Sequence, residues 1–311
     1  MPTLRVTGAQ QIADGIFRFE LRDGAGGTLP AFEPGGHIEV QTPGGDWRKY
    51  SLCNDPAETD RYVIAVKREE NGRGGSRSMC DDLREGMSLD VREPRNDFRL
   101  VKSHGGYLFI AGGIGITPVM AMMRALLNEG QGAFKLIYLT RAPQGTAFLD
   151  ELKGDEFRGK VTIHHDGGDP ANAFDLWPAL EKPKGHIYCC GPAPLMDAVR
   201  DMTGHWSQTA VHFEAFTDGH TIKPDDEAFT VKIASSGQII EVPVGTPILE
   251  ALRKGGHDVP YSCASGSCGS CRVKLVSGDV DHRDFVLQDY EKSSNIMVCV
   301  SRGRGEIVID I

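Results

Sequence analysis

The sequence predicts a multidomain protein in which an antiparallel β-barrel or sandwich is followed by a parallel α/β domain and a small cysteine-rich domain. Three observations support this order. The chain has 311 residues, enough for two or three domains of roughly 100–200 residues each. Apolar and polar residues alternate in short runs up to about residue 104, and strand-like and helix-like runs alternate from there to about residue 222. Four of the eight cysteines fall in the last 50 residues.

The first segment, residues 1–104, has the pattern of short strands separated by glycine and proline turns. The strand-like runs are residues 16–21, 37–40, 62–66 and 88–91. A short helical pattern near residues 77–84 interrupts them. Several short strands with turns between them are typical of an antiparallel barrel or sandwich.

The second segment, residues 105–222, alternates buried strands with helices. The predicted strands are residues 107–111, 134–139, 161–163 and 187–190, and the first predicted helix is residues 118–128. Such alternation predicts a parallel sheet that helices cover on both faces. The three methionines of the first helix, Met120, Met122 and Met123, are interpreted as core filling.

A polar, proline-containing linker is predicted at residues 223–228, before a last segment at residues 229–311. That segment is predicted to hold a hairpin at residues 229–234 and 239–243, a helix from near Thr246, and strands at residues 296–300 and 307–311. About 80 residues give a small core, which a metal site would stabilise.

The spacing of four cysteines is the strongest chemical signal. They follow the pattern C-x₄-C-x₂-C…C, at Cys263, Cys268, Cys271 and Cys299. This is the plant-type ligand spacing of a 2Fe–2S cluster. Gly266 and Gly269 allow a tight loop, and its small side chains let backbone N–H groups approach the sulfurs. A structural zinc site or no metal at all is the alternative, although zinc sites usually carry C-x₂-C pairs. Cys299 is expected on a following strand.

A glycine-rich turn, Ala111-Gly-Gly-Ile-Gly-Ile-Thr-Pro118, follows the first buried strand of the second segment. Thr117 is predicted to cap the next helix and Pro118 to lie in its first turn. Free N–H groups there would bind a pyrophosphate that Gly112, Gly113 and Gly115 allow to approach. Pro118 replaces the third glycine of G-x-G-x-x-G, and the next strand does not end on an acidic residue, which disfavours an ordinary Rossmann dehydrogenase. A tight turn without a ligand is the alternative.

Two weaker motifs lie in the first segment. Arg48-Lys-Tyr-Ser51 offers a cation, an aromatic face and a hydroxyl, and Gly72-Arg-Gly-Gly-Ser76 could hold a phosphate near Lys67 and Arg68. Each motif alone is more typical of a solvated strand or a surface turn. Together they predict a phosphate pocket with a platform for a flavin ring.

Composition and missing motifs disfavour other classes of protein. The net charge of −9 argues against a general nucleic-acid binder, and no apolar run reaches the roughly 18 residues of a membrane span. The N-terminus lacks a secretory pattern, so a cytoplasmic location without a membrane partner is expected. A monomer is also expected. Hydrolase motifs are absent. His282 and Asp284, which follow the cysteine loop, are expected at the surface.

Three motifs together resemble the ferredoxin–NADP reductase superfamily: Arg48-x-Tyr50-Ser51, the glycine-rich turn, and Cys190-Gly191-Pro192. The C-terminal cysteine loop narrows the resemblance to the phthalate dioxygenase reductase family, the FMN-containing reductases of Rieske-type aromatic oxygenases. The resemblance extends over essentially the whole chain. It implies an FMN-binding antiparallel β-barrel at residues 1–104, a nicotinamide-binding α/β domain at residues 105–222 and a β-grasp plant-type ferredoxin domain at residues 229–311.

The resemblance also implies a role for each matching residue. Arg48, Tyr50 and Ser51 would hold the FMN phosphate and ring, with Ser51 close to the reactive flavin nitrogen. Val66, Lys67, Arg68, Arg73, Gly74, Gly75 and Ser76 would complete the flavin site. Thr117 would lie where nicotinamide and flavin meet, and Cys190, with Gly191 and Pro192, would flank the nicotinamide. Phe216 would cover the flavin face. Cys190 and Phe216 could equally be ordinary core residues.

The implied function is electron transfer from NADH through FMN and the 2Fe–2S cluster to a separate Rieske-type aromatic-ring oxygenase, such as a phthalate dioxygenase. Two alternatives stay open. One is a stand-alone, diaphorase-like reductase that serves another type of monooxygenase. The other is a non-catalytic iron–sulfur electron carrier. The choices of FMN over FAD and of NADH over NADPH rest on the resemblance.

Overall fold

A computed structural model describes residues 2–72, 74–130, 133–216, 223 and 225–311. The chain divides into two compact units, Met1–His212 and Phe213–Ile311, and each contains its own hydrophobic core. Within the described residues, every helix is too short or too polar to cross a membrane.

The first unit begins with a closed antiparallel barrel. Its elements are β1 (Thr3–Ala13), β2 (Ile16–Asp23), β3 (His37–Gln41), β4 (Trp47–Ser51), β5 (Tyr62–Lys67), α1 (Gly75–Asp82) and β6 (Ser88–Asp90). The strands form one sheet in the order β5-β2-β1-β6 and a second, two-stranded sheet of β3 and β4. Antiparallel bridges from Val40 to Val91 and from Leu52 to Ile64 join the two sheets at both edges. Of the two predicted architectures, a barrel or a sandwich, the structure therefore shows the barrel.

Alternation of apolar residues explains why β2 forms here. Ile16, Phe19 and Leu21 are buried, while the residues between them are half-exposed. This is the pattern of an antiparallel strand with one face in the core and one face toward water.

The burial of His37 predicts that acid destabilises this barrel. Its side chain is 5% exposed, and burial, assisted by Lys49, lowers its pKa from 6.5 to about 4. The unfolded chain therefore binds a proton at a higher pH than the native chain. The stability that the neutral, buried His37 contributes is fully present above about pH 6.5. It is lost as the pH falls towards 4, and the free energy of unfolding then decreases by up to about 3 kcal/mol. Urea midpoints, followed by tryptophan fluorescence at pH 7.5 and 5, should differ less in His37→Gln than in the unmodified protein.

The exposed His104 provides the control for this measurement. His104→Gln should keep the pH dependence of the unmodified protein. If His37→Gln and the unmodified protein lose stability equally between the two pH values, burial of His37 does not contribute to acid sensitivity.

The α/β part of the first unit follows the barrel. Its elements are β7 (Tyr107–Gly112), α2 (Ile116–Asn128), β8 (Phe134–Thr140), α3 (Leu149–Leu152), β9 (Val161–His165), α4 (Trp177–Leu180), β10 (His186–Cys190) and α5 (Ala193–Met202). The last strand of the sheet, β11 (Val211–Glu214), begins in this unit and continues past its boundary at His212. The strand order is β11-β10-β7-β8-β9, and β10, β7, β8 and β9 pair in parallel. The predicted parallel sheet is confirmed.

Helix α2 packs against both the parallel sheet and the barrel. Met120, Met122 and Met123 are fully buried, which confirms their interpretation as core filling. They share one apolar cluster with Cys53 and Val63 of the barrel part. The unbranched methionine side chain suits this irregular junction.

The second unit contains a mixed five-stranded sheet. Its elements are β12 (Phe229–Ile233), β13 (Ile239–Val242), α6 (Ile248–Lys254), β14 (Arg272–Asp281), α7 (Asp289–Lys292), β15 (Asn295–Met297) and β16 (Arg302–Asp310). The order is β13-β12-β16-β14-β15. The first and last strands, β12 and β16, are parallel neighbours, and the other pairs are antiparallel. This is the predicted β-grasp arrangement, and the predicted hairpin is β12 with β13.

Candidate functional site

The cysteine loop of the second unit follows a path that requires glycine. Gly266 and Gly269 have φ of 76° and 83°, in the left-handed region that costs glycine little. A Cβ atom on Gly266 would lie 2.8 Å from a methyl carbon of Val300 and 3.2 Å from the Cα of Asp284. Ala264 also has a positive φ, of 54°. The loop is therefore tightly wound, as the sequence predicted.

The four predicted ligands converge. Cys271 and Cys299 are buried, and Cys263 and Cys268 are partly exposed. The thiol of Cys263 contacts the thiols of Cys268 and Cys299, and that of Cys271 contacts Cys299. All eight cysteines are free thiols.

Backbone donors surround the two outer sulfurs. The N–H groups of Ser265 and Ser267 donate to Cys263 Sγ over 3.3 and 3.4 Å. The N–H of Cys263 donates to Cys268 Sγ over 3.4 Å. Hydrogen bonds to cluster sulfurs tune the reduction potential of iron–sulfur proteins, so these donors suit a cluster.

Contacts between the thiols shift their pKa values in opposite directions. Contacts with Cys268 and Cys299 lower the pKa of the Cys263 thiol, and the hydrogen bond with Cys263 raises the pKa of the Cys299 thiol. Within the described residues, no set of three or more His, Cys, Asp or Glu side chains could hold a single metal ion. A 2Fe–2S cluster does not need such a set, because its four cysteines are divided between two irons. What fits a 2Fe–2S cluster here is the donor set: four converging sulfurs with amide donors beside two of them.

Two expectations about the surroundings of the loop were wrong. Cys299 lies in the turn at residues 298–300, after β15 ends at Met297, because the chain reverses there to enter β16. Asp284 is buried at 4% exposure, and its Oδ1 accepts hydrogen bonds from the N–H groups of Val286 and Leu287 at 3.0 and 2.6 Å. The side chain of His282 is only 13% exposed. Neither residue is a surface residue.

The glycine-rich turn in the first unit forms a single 3₁₀ turn, Gly113–Gly115, that continues directly into α2. Thr117 is therefore already inside the helix. Its hydroxyl donates to the carbonyl of Ile114 over 3.1 Å, so the predicted N-cap role is wrong. Pro118 lies in the first turn of α2 as predicted. The hydroxyl of Tyr138 donates to the carbonyl of Gly113 and supports the turn.

This turn is pressed against the loop that follows β10. A Cβ on Gly115 would lie 2.2 Å from the carbonyl oxygen of Cys190, and a Cβ on Gly112 would lie 2.6 Å from Cδ of Pro192. A Cβ on Gly191 would lie 3.0 Å from the Cα of Gly112. Strands β7 and β10 are parallel neighbours, so the two predicted nucleotide motifs meet at the carboxyl ends of adjacent strands. Open α/β sheets bind their ligands at this edge.

Cys190 ends β10 and is fully buried. Phe216 is 43% exposed, so it is not a core residue, and it precedes residues 217–222, which lie outside the described part of the chain. The roles predicted for both residues stay predictions.

In the barrel, β4 places the Arg48 motif beside the start of α1. The guanidinium of Arg48 bonds Asp46 Oδ2 at 3.0 Å and the Trp47 carbonyl at 2.9 Å. A Cβ on Gly75 would lie 2.8 Å from Arg48 Nε, so the two weaker motifs are in contact. Gly74 precedes α1 with φ of 92°.

The other residues predicted around a flavin divide into two groups. Ser51 and Val66 are buried and Tyr50 is partly buried, and burial raises the pKa of Tyr50. The Arg68 guanidinium bonds Asp81 at 2.8 and 2.9 Å, and Lys67 pairs with Glu69. The hydroxyl of Ser76 accepts from the N–H of Glu69. Arg73 lies outside the described residues.

Two hydrogen bonds between the barrel and the α/β part of the first unit were not predicted from the sequence. Arg124, on α2, donates to the carbonyl of Cys53 and to the carboxylate of Glu151. Asn128 donates to Asp55 Oδ2 at 2.6 Å. The bonds to Cys53 and Asp55 join the helix that begins at the glycine-rich turn to the segment that follows Ser51. An arginine in an otherwise apolar helix was the available signal.

The comparisons with known proteins agree with this geometry. Two family models match, the 2Fe-2S iron-sulfur cluster binding domain over residues 231–302 and the oxidoreductase NAD-binding domain over residues 109–201. The chain is 52% identical to phthalate dioxygenase reductase of Burkholderia cepacia, over 99% of this chain and 97% of that one. It is 51% identical to the phthalate 4,5-dioxygenase oxygenase reductase subunit of Pseudomonas putida, over 98% and 95%.

A solved structure of a phthalate dioxygenase reductase, described as modular for electron transfer from pyridine nucleotides to [2Fe–2S], has a TM-score of 0.74 with this chain. The match covers 99% of this chain and 97% of that one at 52% identity. The resemblance and the three-part fold class predicted from the sequence are confirmed. The chain belongs to the phthalate dioxygenase reductase family, and it is an oxidoreductase with an NAD-binding domain and a 2Fe–2S domain.

Proposed function

We propose that this chain takes electrons from NADH and delivers them, through FMN and a 2Fe–2S cluster, to a separate Rieske-type aromatic-ring oxygenase of the phthalate dioxygenase kind. The observation that carries the proposal is that one chain holds four convergent thiols, a nucleotide-type turn and a barrel phosphate motif. The two relatives that are about half identical over nearly the whole chain bear the names of phthalate oxygenase reductases. A bound flavin accepts two electrons from a nicotinamide, and a 2Fe–2S cluster exchanges single electrons.

The residues of the barrel would hold the flavin. Arg48 and the N–H groups at the start of α1 would bind the phosphate. Tyr50 and Ser51 would position the ring. Further contacts are proposed for Val66, Lys67, Arg68, Arg73, Gly74, Gly75 and Ser76. Lys67 and Arg68 pair with acidic neighbours, so their contribution to a phosphate would require those pairs to rearrange.

The edge of the parallel sheet would bind NADH. Gly112, Gly113 and Gly115 would let the pyrophosphate approach the free N–H groups at the start of α2. Thr117 and Cys190 would flank the nicotinamide, together with Gly191 and Pro192, and Phe216 would cover the flavin. Hydride transfer requires no acid or base from the protein, so these residues orient the partners and exclude water.

The four cysteines Cys263, Cys268, Cys271 and Cys299 would ligate the cluster. We also propose the domain limits 1–104, 105–222 and 229–311 with a linker at 223–228, and a monomeric protein. The oxygenase, not this chain, would bind the aromatic substrate.

The flavin site predicts a loss of FMN affinity in Arg48→Ala. Removing one charge-assisted bond to a phosphate costs about 1.5–3 kcal/mol, or roughly a 10- to 100-fold weaker Kd. Fluorescence titration of the flavin-free protein with FMN measures this Kd. Arg22→Ala is the control, because Arg22 lies on β2 of the same barrel and pairs with the exposed Asp60. Equal FMN affinity in Arg48→Ala and Arg22→Ala would contradict the phosphate role.

The proposed function is tested on the purified full chain. The flavin is extracted and identified by chromatography, the two kcat/KM values for NADH and NADPH are compared, and EPR spectra are recorded after reduction by NADH. Reconstitution with a phthalate dioxygenase should yield hydroxylated product. NADH oxidation without coupling to any Rieske oxygenase would favour the diaphorase alternative. A cluster signal without NADH oxidation would favour the non-catalytic electron carrier.

A further inference from the structure

Part of the predicted linker is built into the second unit through a buried ion pair. Asp226 has a side chain that is 5% exposed. Its carboxylate accepts hydrogen bonds from both terminal nitrogens of Arg283, one of them over 3.1 Å to Oδ2. The N–H of Lys223 donates to the same carboxylate over 3.0 Å. Asp226 is therefore fixed by a bidentate pair, which is the arrangement that holds a carboxylate best.

Three further side chains complete this group. Arg283 also donates from Nε to Asp281 Oδ2 over 2.8 Å, and Lys223 Nζ binds the same oxygen at 2.9 Å. Arg302 Nε lies 3.8 Å from Asp226 Oδ1, with a side chain that is 9% exposed. We call Lys223, Asp226, Asp281, Arg283 and Arg302 the linker clamp.

The residues after Arg283 cover the cysteine loop. The N–H of Arg283 donates to Ser301 Oγ at 3.4 Å, and the N–H of Phe285 donates to the carbonyl of Gly266 at 2.9 Å. Val286 Cγ1 lies 3.4 Å from the position that a Cβ on Gly269 would occupy. Residues 283–287, the covering segment, therefore contact the loop at both of its positive-φ glycines.

The end of the covering segment reaches the core behind the thiols. Leu287 belongs to the apolar cluster that contains Cys271 and Cys299, and the carboxylate of Asp284 fixes the N–H of Leu287. One short stretch of chain thus connects the clamp, the loop and the buried ligands. Movement at Arg283 would be transmitted to this stretch, since its backbone bonds begin at that residue.

We propose that the linker clamp positions the covering segment over the cysteine loop, so that Asp226 and Arg283 control the access of water to the 2Fe–2S cluster. Both are positioning residues that act through residues 284–287. The inference rests on the proposed cluster. Solvent exposure is one of the factors that set the potential of an iron–sulfur centre. Removing one partner of a buried pair weakens the compensation of the other charge. Without the Asp226 carboxylate, Arg283 would keep only Asp281, which favours its release towards water.

The test uses the full-length holoprotein with Asp226→Asn and Arg283→Lys. We expect both variants to lose cluster absorbance to an iron chelator at least about tenfold faster than the unmodified protein, since a lysine lacks the bidentate fork. Their midpoint potentials in EPR redox titrations should shift together. Amide hydrogen exchange at residues 283–287 should become faster. Asp226→Glu keeps the carboxylate and should restore most of the protection.

Asp279→Asn is the matched control, because Asp279 lies in the same unit and both side chains of its ion pair with Arg304 are exposed. It should leave the chelation rate, the midpoint potential and amide exchange unchanged.

If Asp226→Asn does not accumulate as folded protein, Lys223→Met makes the milder test. It should change the chelation rate and amide exchange in the same direction but by less. Chelation and amide exchange equal to those of Asp279→Asn would overturn the proposal. If even the unmodified protein shows no 2Fe–2S signal, the proposed function fails, whereas amide exchange still decides whether the clamp positions the covering segment.

Discussion

Cys299→Ala is expected to abolish the 2Fe–2S EPR signal and to reduce NADH-dependent transfer to a Rieske oxygenase by at least about 100-fold, because an iron–sulfur cluster requires its four ligands. Cys299 is buried and contacts Cys263 and Cys271, and the other three cysteines of the second unit are already proposed ligands. NADH-dependent reduction of ferricyanide, which can take electrons before the cluster, should stay within about twofold. Iron analysis, EPR and the two acceptor assays on one preparation measure these effects.

Cys189→Ala provides the matched comparison. Cys189 is also a buried free thiol, but it lies on β10 in the first unit and is not a proposed ligand. It should retain the cluster and both activities. A Cys299→Ala protein that keeps a full rhombic signal would show that Cys299 is not a ligand. Loss of ferricyanide reduction together with the cluster would instead indicate that the variant disturbs the first unit.

The ligand set could be read from the sequence because the chemistry itself fixes a local spacing. Cys263, Cys268 and Cys271 lie within nine residues of one another, and the glycines between them have the positive φ that such a loop needs. The surroundings of the loop depend on contacts between distant residues instead. Asp284 was expected at the surface because a lone aspartate after a loop is usually solvated. Its burial follows from backbone donors that the fold brings to it.

Among the strands, too, those with a regular local pattern were predicted and those that depend on distant contacts were not. Strands β2 and β5 were predicted to within two residues, because their inward faces are apolar throughout. Strands β1 and β14 were not predicted. Both pair with register shifts, and polar or glycine residues such as Gly8 and Gly278 break their alternation. A regular alternation of apolar and polar residues identifies a strand in the sequence. A strand with register shifts lacks this alternation, so it can be identified only from its pairing with a neighbouring strand in the structure.

At the start of α2, Thr117 was predicted at the correct end of the helix but with the wrong hydrogen bond. Thr117 was expected as an N-cap because threonine followed by proline is typical of that position. The 3₁₀ turn Gly113–Gly115 instead extends the helix towards the strand, so the hydroxyl of Thr117 bonds backwards to Ile114. The close contact of Gly115 with Cys190 requires this compact entry into the helix.

That contact makes Gly115→Ala the substitution with the second-largest expected effect. The added Cβ would lie 2.2 Å from the carbonyl oxygen and 2.5 Å from the carbonyl carbon of Cys190, and backbone atoms cannot move aside as a flexible side chain can. The turn and the loop after β10 must separate, which would misplace the proposed pyrophosphate donors and Cys190 together. If this separation of the turn from the loop weakens transition-state binding by about 3 kcal/mol, kcat/KM for NADH should fall roughly 100-fold. Stopped-flow reduction of the flavin by NADH measures this loss.

The effect should be confined to the nicotinamide side of the reaction. Gly145→Ala is the control, because Gly145 lies in the same unit and a Cβ there meets no atom within 4 Å; it should reduce its flavin at the normal rate. In Gly115→Ala, reduction by dithionite should still give the full cluster signal, since the cysteine loop belongs to the second unit. Normal NADH kinetics in Gly115→Ala would exclude this turn from the nucleotide site. Loss of flavin as well as of NADH turnover would mean that the contact between turn and loop stabilises the whole first unit, because α2 shares its core with the barrel.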